Sequence, residues 1–189
     1  MKLIFATQNP NKAKEIASQV GQTIEIKSLL DLNYTEELEE TQNTLEGNAF
    51  QKARFVANKF KVNCFADDTG LEVEALNGEP GVYSARYAGE EKSFEKNMQK
   101  VLDKLEGEGS RKAQFRTVIA LILDGKEHQF EGVCKGIITI EKHGDKGFGY
   151  DPIFQHEGYQ QTFAEMSLEL KNEIGHRGKA VYNFLKFLK

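Results

Sequence analysis

The sequence has two cysteines, three prolines and no tryptophan, and no apolar run long enough to cross a bilayer. Two cysteines allow one disulfide at most, and nothing in the sequence asks for it. Cys64 and Cys134 each sit in an apolar, strand-like run and read as buried thiols, which suits a reducing compartment such as the cytoplasm. Met1-Lys2-Leu3 enters a strand pattern at once, so neither a signal peptide nor a membrane span is expected. Excess positive charge is also missing: 25 Lys and Arg stand against 29 Asp and Glu. That balance argues against nucleic acid or an anionic membrane as partner, and leaves room for a local basic pocket around a phosphorylated small molecule. No His/Cys grouping has zinc-site spacing, and no Gly-x-Ser-x-Gly elbow gives Ser84 a claim as nucleophile.

What is present is organised around Phe65-Ala66-Asp67-Asp68-Thr69-Gly70-Leu71-Glu72-Val73. An apolar segment, Val62 to Ala66, runs into two carboxylates, a hydroxyl and a glycine, and a second apolar strand, Leu71 to Ala75, follows. Adjacent anions at the end of a buried strand repel and lose solvation unless a cation or donors answer them. The pair reads either as a divalent-metal site or as a polar turn between two strands.

Around this centre the pattern alternates. Leu3 to Ala6 is a strand, Thr7-Gln8-Asn9-Pro10-Asn11 a turn, and a helix begins near Lys12, with Gly21 as its stop. A strand, a polar loop and a helix start together favour anions, with Thr7 and Asn9 as donors and Lys12 as a charge. Ile24 to Ser28 is a second strand, and Glu36, Glu37, Glu39 and Glu40 follow in an acidic run. A helix from about Thr44 puts Ala49, Ala53, Val56, Ala57 and Phe60 on one face, and Lys52 beside that stripe reads as an ordinary surface lysine. Ala113 to Leu123 and His128 to Ile140 form a hairpin through Asp124-Gly125-Lys126. Its first arm, apolar on both faces, belongs in the middle of a sheet, and Gly132 and Gly136 mark a bulge or a close backbone approach. Phe148-Gly149-Tyr150-Asp151-Pro152 suits clasping a flat ring, or plain packing. Lys171 to Lys179 gathers cations and an imidazole before the last helix, and His176 reads as part of a polar turn. The whole is an α/β pattern.

Six motifs in order resemble the inosine/xanthosine triphosphate pyrophosphatase family: Phe5 to Lys12, Thr44 to Ala53, Ala66 to Leu71, Gly81 to Tyr87, Gly147 to Pro152 and Lys171 to Lys179. The resemblance implies one domain over residues 1-189. Its fold is a long central mixed sheet with flanking helices, in two lobes enclosing a nucleotide cleft, usually as a homodimer. It implies Mg2+-dependent conversion of ITP, dITP and XTP to the monophosphate and pyrophosphate. By matching positions, Thr7, Gln8, Asn9, Pro10, Asn11 and Lys12 form the phosphate-binding start, and Lys52 is a second phosphate lysine. Asp68 is proton acceptor and metal ligand, Glu40 the other metal ligand, Asp67 its supporting partner, and Thr69 a substrate-contacting hydroxyl. Phe148, Gly149, Tyr150 and Asp151 match the base-binding loop; Lys171, His176 and Arg177 match the base-recognition segment. Water attack at the α-phosphorus is the expected chemistry, with Lys12 and Lys52 offsetting charge on the phosphates. Gly47 stands where many members carry glutamate, and Gly175 replaces the usual serine, which predicts a looser loop before His176. A nucleotide pyrophosphatase of broader range and a non-catalytic nucleotide-binding module are the rival readings.

Overall fold

The computed structural model describes residues 1-20 and 24-189, so Gly21, expected to end the first helix, lies outside the described residues. Six strands form one mixed sheet in the order β2-β1-β3-β4-β5-β6. The strands are β1 (Lys2–Phe5), β2 (Glu25–Ser28), β3 (Cys64–Val73), β4 (Lys112–Leu123), β5 (Lys126–Ile138) and β6 (Phe154–His156). The helices are α1 (Pro10–Ala17), α2 (Leu45–Phe60), α3 (Phe94–Lys104), α4 (Leu168–Ile174) and α5 (His176–Phe187). β1 runs parallel to β2 and β3, whereas β6 is antiparallel to β5.

Local chemistry accounts for the element boundaries. Asn9 caps α1, its Oδ1 accepting from the amides of Asn11 and Lys12 at 2.9 and 3.3 Å, and Pro10 opens the helix, where it forfeits no hydrogen bond. Thr44 caps α2 by accepting from Gly47 N at 3.0 Å, and Lys61 closes that helix in the left-handed region. Asp124 and Gly125 both have positive φ, as a two-residue hairpin turn requires, so the predicted hairpin forms between β4 and β5. β4 lies between β3 and β5, with Val118 to Leu121 fully buried, as its apolar pattern predicts. At Gly136 an added Cβ would stand 2.2 Å from the Gln155 carbonyl oxygen, so this strand glycine marks a close backbone approach to β6.

The chain divides into two compact units. The first comprises Met1–Asp68, Thr117–Gly132 and Arg177–Lys189; the second comprises Thr69–Arg116 and Val133–His176. β3, β4 and β5 each contribute residues to both. In the first unit, Leu3, Phe5, Ile16, Phe65, Ile119, Leu121, Val181 and Phe184 form the core, with the Phe5 and Phe65 rings stacked at 4.6 Å. In the second, Met98 and Val101 of α3 and Leu105 at its C-cap join Leu71, Val73, Phe115, Ile138, Phe154 and Phe163 in the core. Among the described residues no helix is long and apolar enough to cross a membrane.

Both cysteines are free and buried, as expected. Burial pushes the Cys64 thiol from its ordinary 9.0 up to about 12. A thiol held neutral in the folded state gives up its proton first in the unfolded chain. Stability is therefore expected to fall as pH rises from 9 towards 12, and the fall should shrink in Cys64→Ala. Urea unfolding at a series of alkaline pH values measures this; equal slopes for the two proteins would contradict it.

Candidate active site

The first correction concerns the acidic pair. Asp67 and Asp68 do not occupy a turn between two strands: β3 continues through them, from Cys64 to Val73. Successive strand residues face opposite sides of the sheet, so the two carboxylates point apart and meet different helices. Asp67 follows Phe65, on the face packed by Ile16 of α1 and Phe184 of α5. Asp68 follows Ala66 and Cys64, on the face of α2, where the Cys64 thiol donates to the Ala53 carbonyl at 3.2 Å.

Each carboxylate is answered by cations on its own side. Lys12 Nζ donates to Asp67 Oδ1 at 2.9 Å, and Arg177 Nε donates to Asp67 Oδ2 at 3.2 Å. Arg177 also donates from Nη1 to Glu15 on α1. Burial alone would raise the Asp67 pKa, but Lys12, Arg177 and Lys52 outweigh it and hold the group well below the usual carboxylate range. On the other face, Asn48 Nδ2 donates to Asp68 Oδ2 at 3.1 Å. Lys52 Nζ lies 3.4 Å from Asp68 Oδ1 and 2.5 Å from Glu40 Oε1. Burial raises the Asp68 pKa, with Glu40 adding to it against Lys52 and Lys12. Neighbouring carboxylates pushed in opposite directions are a mark of divided acid–base roles. Asp67 stays an anion that fixes cations, whereas burial raises the proton affinity of Asp68.

Lys52 is the second correction. It is 6% exposed, not a surface lysine, and it stays charged because Asp68 and Glu40 offset the cost of burial. Glu40 and Asp68 reach one ammonium nitrogen, so their oxygens converge where a cation can sit. Among the described residues no group of three or more His, Cys, Asp or Glu side chains forms a metal cage. Carboxylate oxygens are hard donors of the kind that suits Mg2+ rather than Zn2+.

The phosphate-loop residues hold the entrance to α1. The Thr7 hydroxyl accepts from Asn9 N at 3.1 Å, and Gln8 Nε2 donates to the Glu36 carbonyl at 2.7 Å. Pro10 and Asn11 are exposed on the first turn.

The base-loop residues lie in the second unit. Asp151 Oδ2 accepts from Phe148 N at 2.8 Å and from Lys171 Nζ at 2.5 Å, and that ammonium sits 5.1 Å from the Phe148 ring centroid. Gly149 takes positive φ, and the buried Tyr150 hydroxyl donates to the Ser84 carbonyl at 2.7 Å. Thr69 is half-buried beside the acidic pair in sequence.

His176 is the third correction. It does not sit in a polar turn but opens α5 as a buried residue, stacked on Phe115 at 4.4 Å, with its Nδ1 3.6 Å from the Cys134 sulfur. Arg177, next in sequence, belongs to the first unit with Asp67 and Glu15. Gly175 is buried, donates to the Lys171 carbonyl at 2.8 Å, and has no room for a Cβ, which would stand 2.5 Å from that oxygen. The segment is held rather than loose.

Sequence reasoning missed Glu15 and Asn48 as members of the cluster. Glu15 carried one usable signal, its spacing of three from Lys12 on a helix face, which places both on one side of α1.

A Ham1 family model matches residues 3–187. The chain belongs to the Ham1 family. A protein named dITP/XTP pyrophosphatase from Flavobacterium johnsoniae is 56% identical over 188 residues, covering 100% of this chain and 98% of that one. A second of the same name, from Flavobacterium psychrophilum, is 54% identical over the full length of both chains. The solved structure of the Staphylococcus aureus Ham1 protein superposes with a TM-score of 0.90 at 40% identity, covering 100% of this chain and 98% of that one. The α/β fold and the family resemblance read from the six motifs are thus borne out. In this Ham1 chain all six motifs lie on or beside the elements that build the two clusters.

Proposed function

We propose that this Ham1 protein hydrolyses the α–β phosphoanhydride of dITP, ITP and XTP, releasing the monophosphate and pyrophosphate, and so clears deaminated purines from the nucleotide pool. The observation that carries the reading is the alternation of Lys12, Asp67 and Arg177 on one face of β3 with Lys52, Asp68 and Glu40 on the other, with Asp67, Arg177, Lys52 and Asp68 buried. Simple nucleotide binding has no use for a carboxylate whose affinity for a proton is raised beside cations. The full-length dITP/XTP pyrophosphatase relatives support the substrate class.

In this reading Lys12, Lys52 and the capped start of α1, with Thr7 and Asn9, take the triphosphate. The two lysines offset the charge that grows on the phosphate oxygens as water attacks the α-phosphorus and pyrophosphate leaves. Asp68 accepts the water proton. Glu40 and Asp68 would hold Mg2+, which when bound would neutralise charge on the phosphates and lower the pKa of a water. Phe148 stacks on the purine, and Lys171, held by Asp151, with His176 supplies donors to the base. A deaminated purine carries a carbonyl at position 6 where adenine has an amino group, so donors there satisfy the one and leave the other unpaired. Thr69 contacts substrate, and Arg177 serves base selection through the cluster it anchors. The chain works as one domain, as a homodimer, in the cytoplasm.

Steady-state hydrolysis of dITP, ITP, XTP, ATP and GTP, with magnesium present or chelated, tests this. Pyrophosphate and free phosphate are read separately. Magnesium-dependent pyrophosphate release favouring the deaminated purines over ATP by on the order of a hundredfold is expected. Free phosphate as first product would refute attack at the α-phosphorus. Light scattering at about twice the 21.3 kDa chain mass is the expected dimer result.

A further inference from the structure

The proposed chemistry leaves two features of the second unit without a part: the motif Gly81 to Tyr87, and the Tyr150 hydroxyl in the base loop. The structure joins them. Gly81–Arg86 forms a short 3-10 helix laid against β3, where a Cβ added at Gly70 would stand 2.8 Å from the Gly81 carbonyl oxygen. Only glycine lets the two backbones come this close. The Ser84 hydroxyl fastens the contact, accepting from Leu71 N at 2.9 Å and donating to the Gly81 carbonyl at 2.6 Å. The Ser84 carbonyl accepts from the Tyr150 hydroxyl at 2.7 Å and from Asn97 Nδ2 at 3.4 Å. Ser84, Asn97 and Tyr150 are all buried. We infer that Ser84 and Tyr150 are positioning residues for base binding, a buried brace that ties the loop carrying Phe148 to β3.

Each link has one possible direction. A carbonyl oxygen only accepts and an amide N–H only donates, so Tyr150 gives its proton to Ser84, and the Ser84 hydroxyl proton goes to Gly81. Burial, with Tyr87 adding to it, pushes the Tyr150 phenol above its ordinary 10.0, so that proton stays in place. A hydroxyl whose proton is committed to a carbonyl, on a side chain 5% exposed, is not the donor that reads a purine edge. The loop needs anchorage from outside, because Gly147 and Gly149 both take positive φ and glycine restrains its own backbone least. Phe148 is held to the anchored segment by the residue after Tyr150. The Asp151 carboxylate accepts from Phe148 N at 2.8 Å, and Asp151 N donates to the Phe148 carbonyl at 3.3 Å. The place in base binding rests on the proposed function; the brace itself does not.

Two measurements on Tyr150→Phe, which keeps the ring, and on Ser84→Ala test the brace. Hydrogen exchange followed by NMR needs no substrate. Exchange of the Phe148 amide, relative to that of Val101 in α3, is expected to quicken on the order of tenfold in each variant. An unchanged ratio in either variant would overturn the inference, because general loss of stability moves both amides together. The second measurement compares kcat and KM for dITP and ATP. Stacking does not distinguish the two purines, so KM should rise about fivefold for both in either variant, with kcat nearly constant. The double variant should be no worse than the more affected single, since both changes break one chain of contacts. Effects that multiply, or an unmoved KM beside quickened exchange, would overturn the role in base binding. So would a preference between dITP and ATP altered by Tyr150→Phe, which would put the hydroxyl on the base. If the wild type hydrolyses neither nucleotide, the proposed function falls, and the exchange rates still decide the brace.

Discussion

Replacing Asp68 by asparagine is expected to lower kcat for dITP by on the order of a thousandfold while leaving the protein folded. The swap is nearly isosteric, and an asparagine oxygen still accepts from Asn48, which now donates to Asp68 Oδ2 at 3.1 Å. What disappears is the proposed proton acceptor, a carboxylate whose pKa burial raises, and one of the two carboxylates that converge on Lys52. Because the acceptor works only as water attacks, the loss should fall on kcat, with the apparent affinity for nucleotide changed far less. Glu40→Gln provides the comparison. Its carboxylate sits on the same ammonium but has no role as proton acceptor, so its loss should raise the magnesium concentration for half-activity more than it lowers saturated kcat. Titrating magnesium against both variants separates the roles. Identical behaviour of the two, or an Asp68→Asn enzyme within tenfold of wild type, would remove Asp68 as the acceptor.

The largest effect on stability is expected at Arg177. Its guanidinium is 3% exposed and bridges Glu15 and Asp67, themselves 5% and 2% exposed. Arg177→Met keeps much of the volume but leaves Glu15 and Asp67 buried with Lys12 as the partner seen at 2.9 Å from Asp67. Removing one partner of such a set costs about 3–5 kcal/mol, a drop of roughly 10 °C in a chain of this size. The pH dependence follows from the depressed pKa of Asp67. A group depressed in the folded state contributes stability above its unfolded value and loses it as pH falls. The gap between wild type and variant should therefore narrow as the pH drops below the ordinary carboxylate value of 3.8. Adding Glu15→Gln to the variant removes the buried charge that Arg177 answered, so the double change should cost less than the sum of the singles by more than about 1 kcal/mol. Strict additivity in urea melts would show that Glu15 and Arg177 do not act as a pair.

These residues also show where sequence reasoning stops. The hairpin, the helix starts after Asn9 and near Thr44, the central place of β4 and the buried thiols depend on neighbours in the chain, and all were legible. The tight fit at Gly136 was legible as well, because a glycine in a strand has few other uses. The polar cluster was not legible in the same way. Lys12 stands 55 residues from Asp67, and Arg177 stands 110 residues from it. Nothing local distinguishes a lysine destined for burial from one on a solvated helix face. Lys52 therefore read as surface from its neighbours alone, and the two aspartates stayed open between a metal site and a turn. Their partners arrive only when α1, α2 and α5 pack on β3, and with them the strand can run straight through two charges. His176 failed for the same reason, since Phe115 and Cys134 come from β4 and β5.

The chain passes between its two compact units at Asp68–Thr69, Arg116–Thr117, Gly132–Val133 and His176–Arg177. Neither unit is a contiguous stretch of gene. A single recombination event between related genes cannot transplant one unit whole, and two of the four junctions cut through Ala66–Leu71 and Lys171–Lys179 themselves. Such a layout resists modular shuffling. The half of the machine that carries the acidic strand and the half that carries the aromatic loop are inherited together, and a lineage that alters its choice of base has to do so by point substitution rather than by exchange of parts.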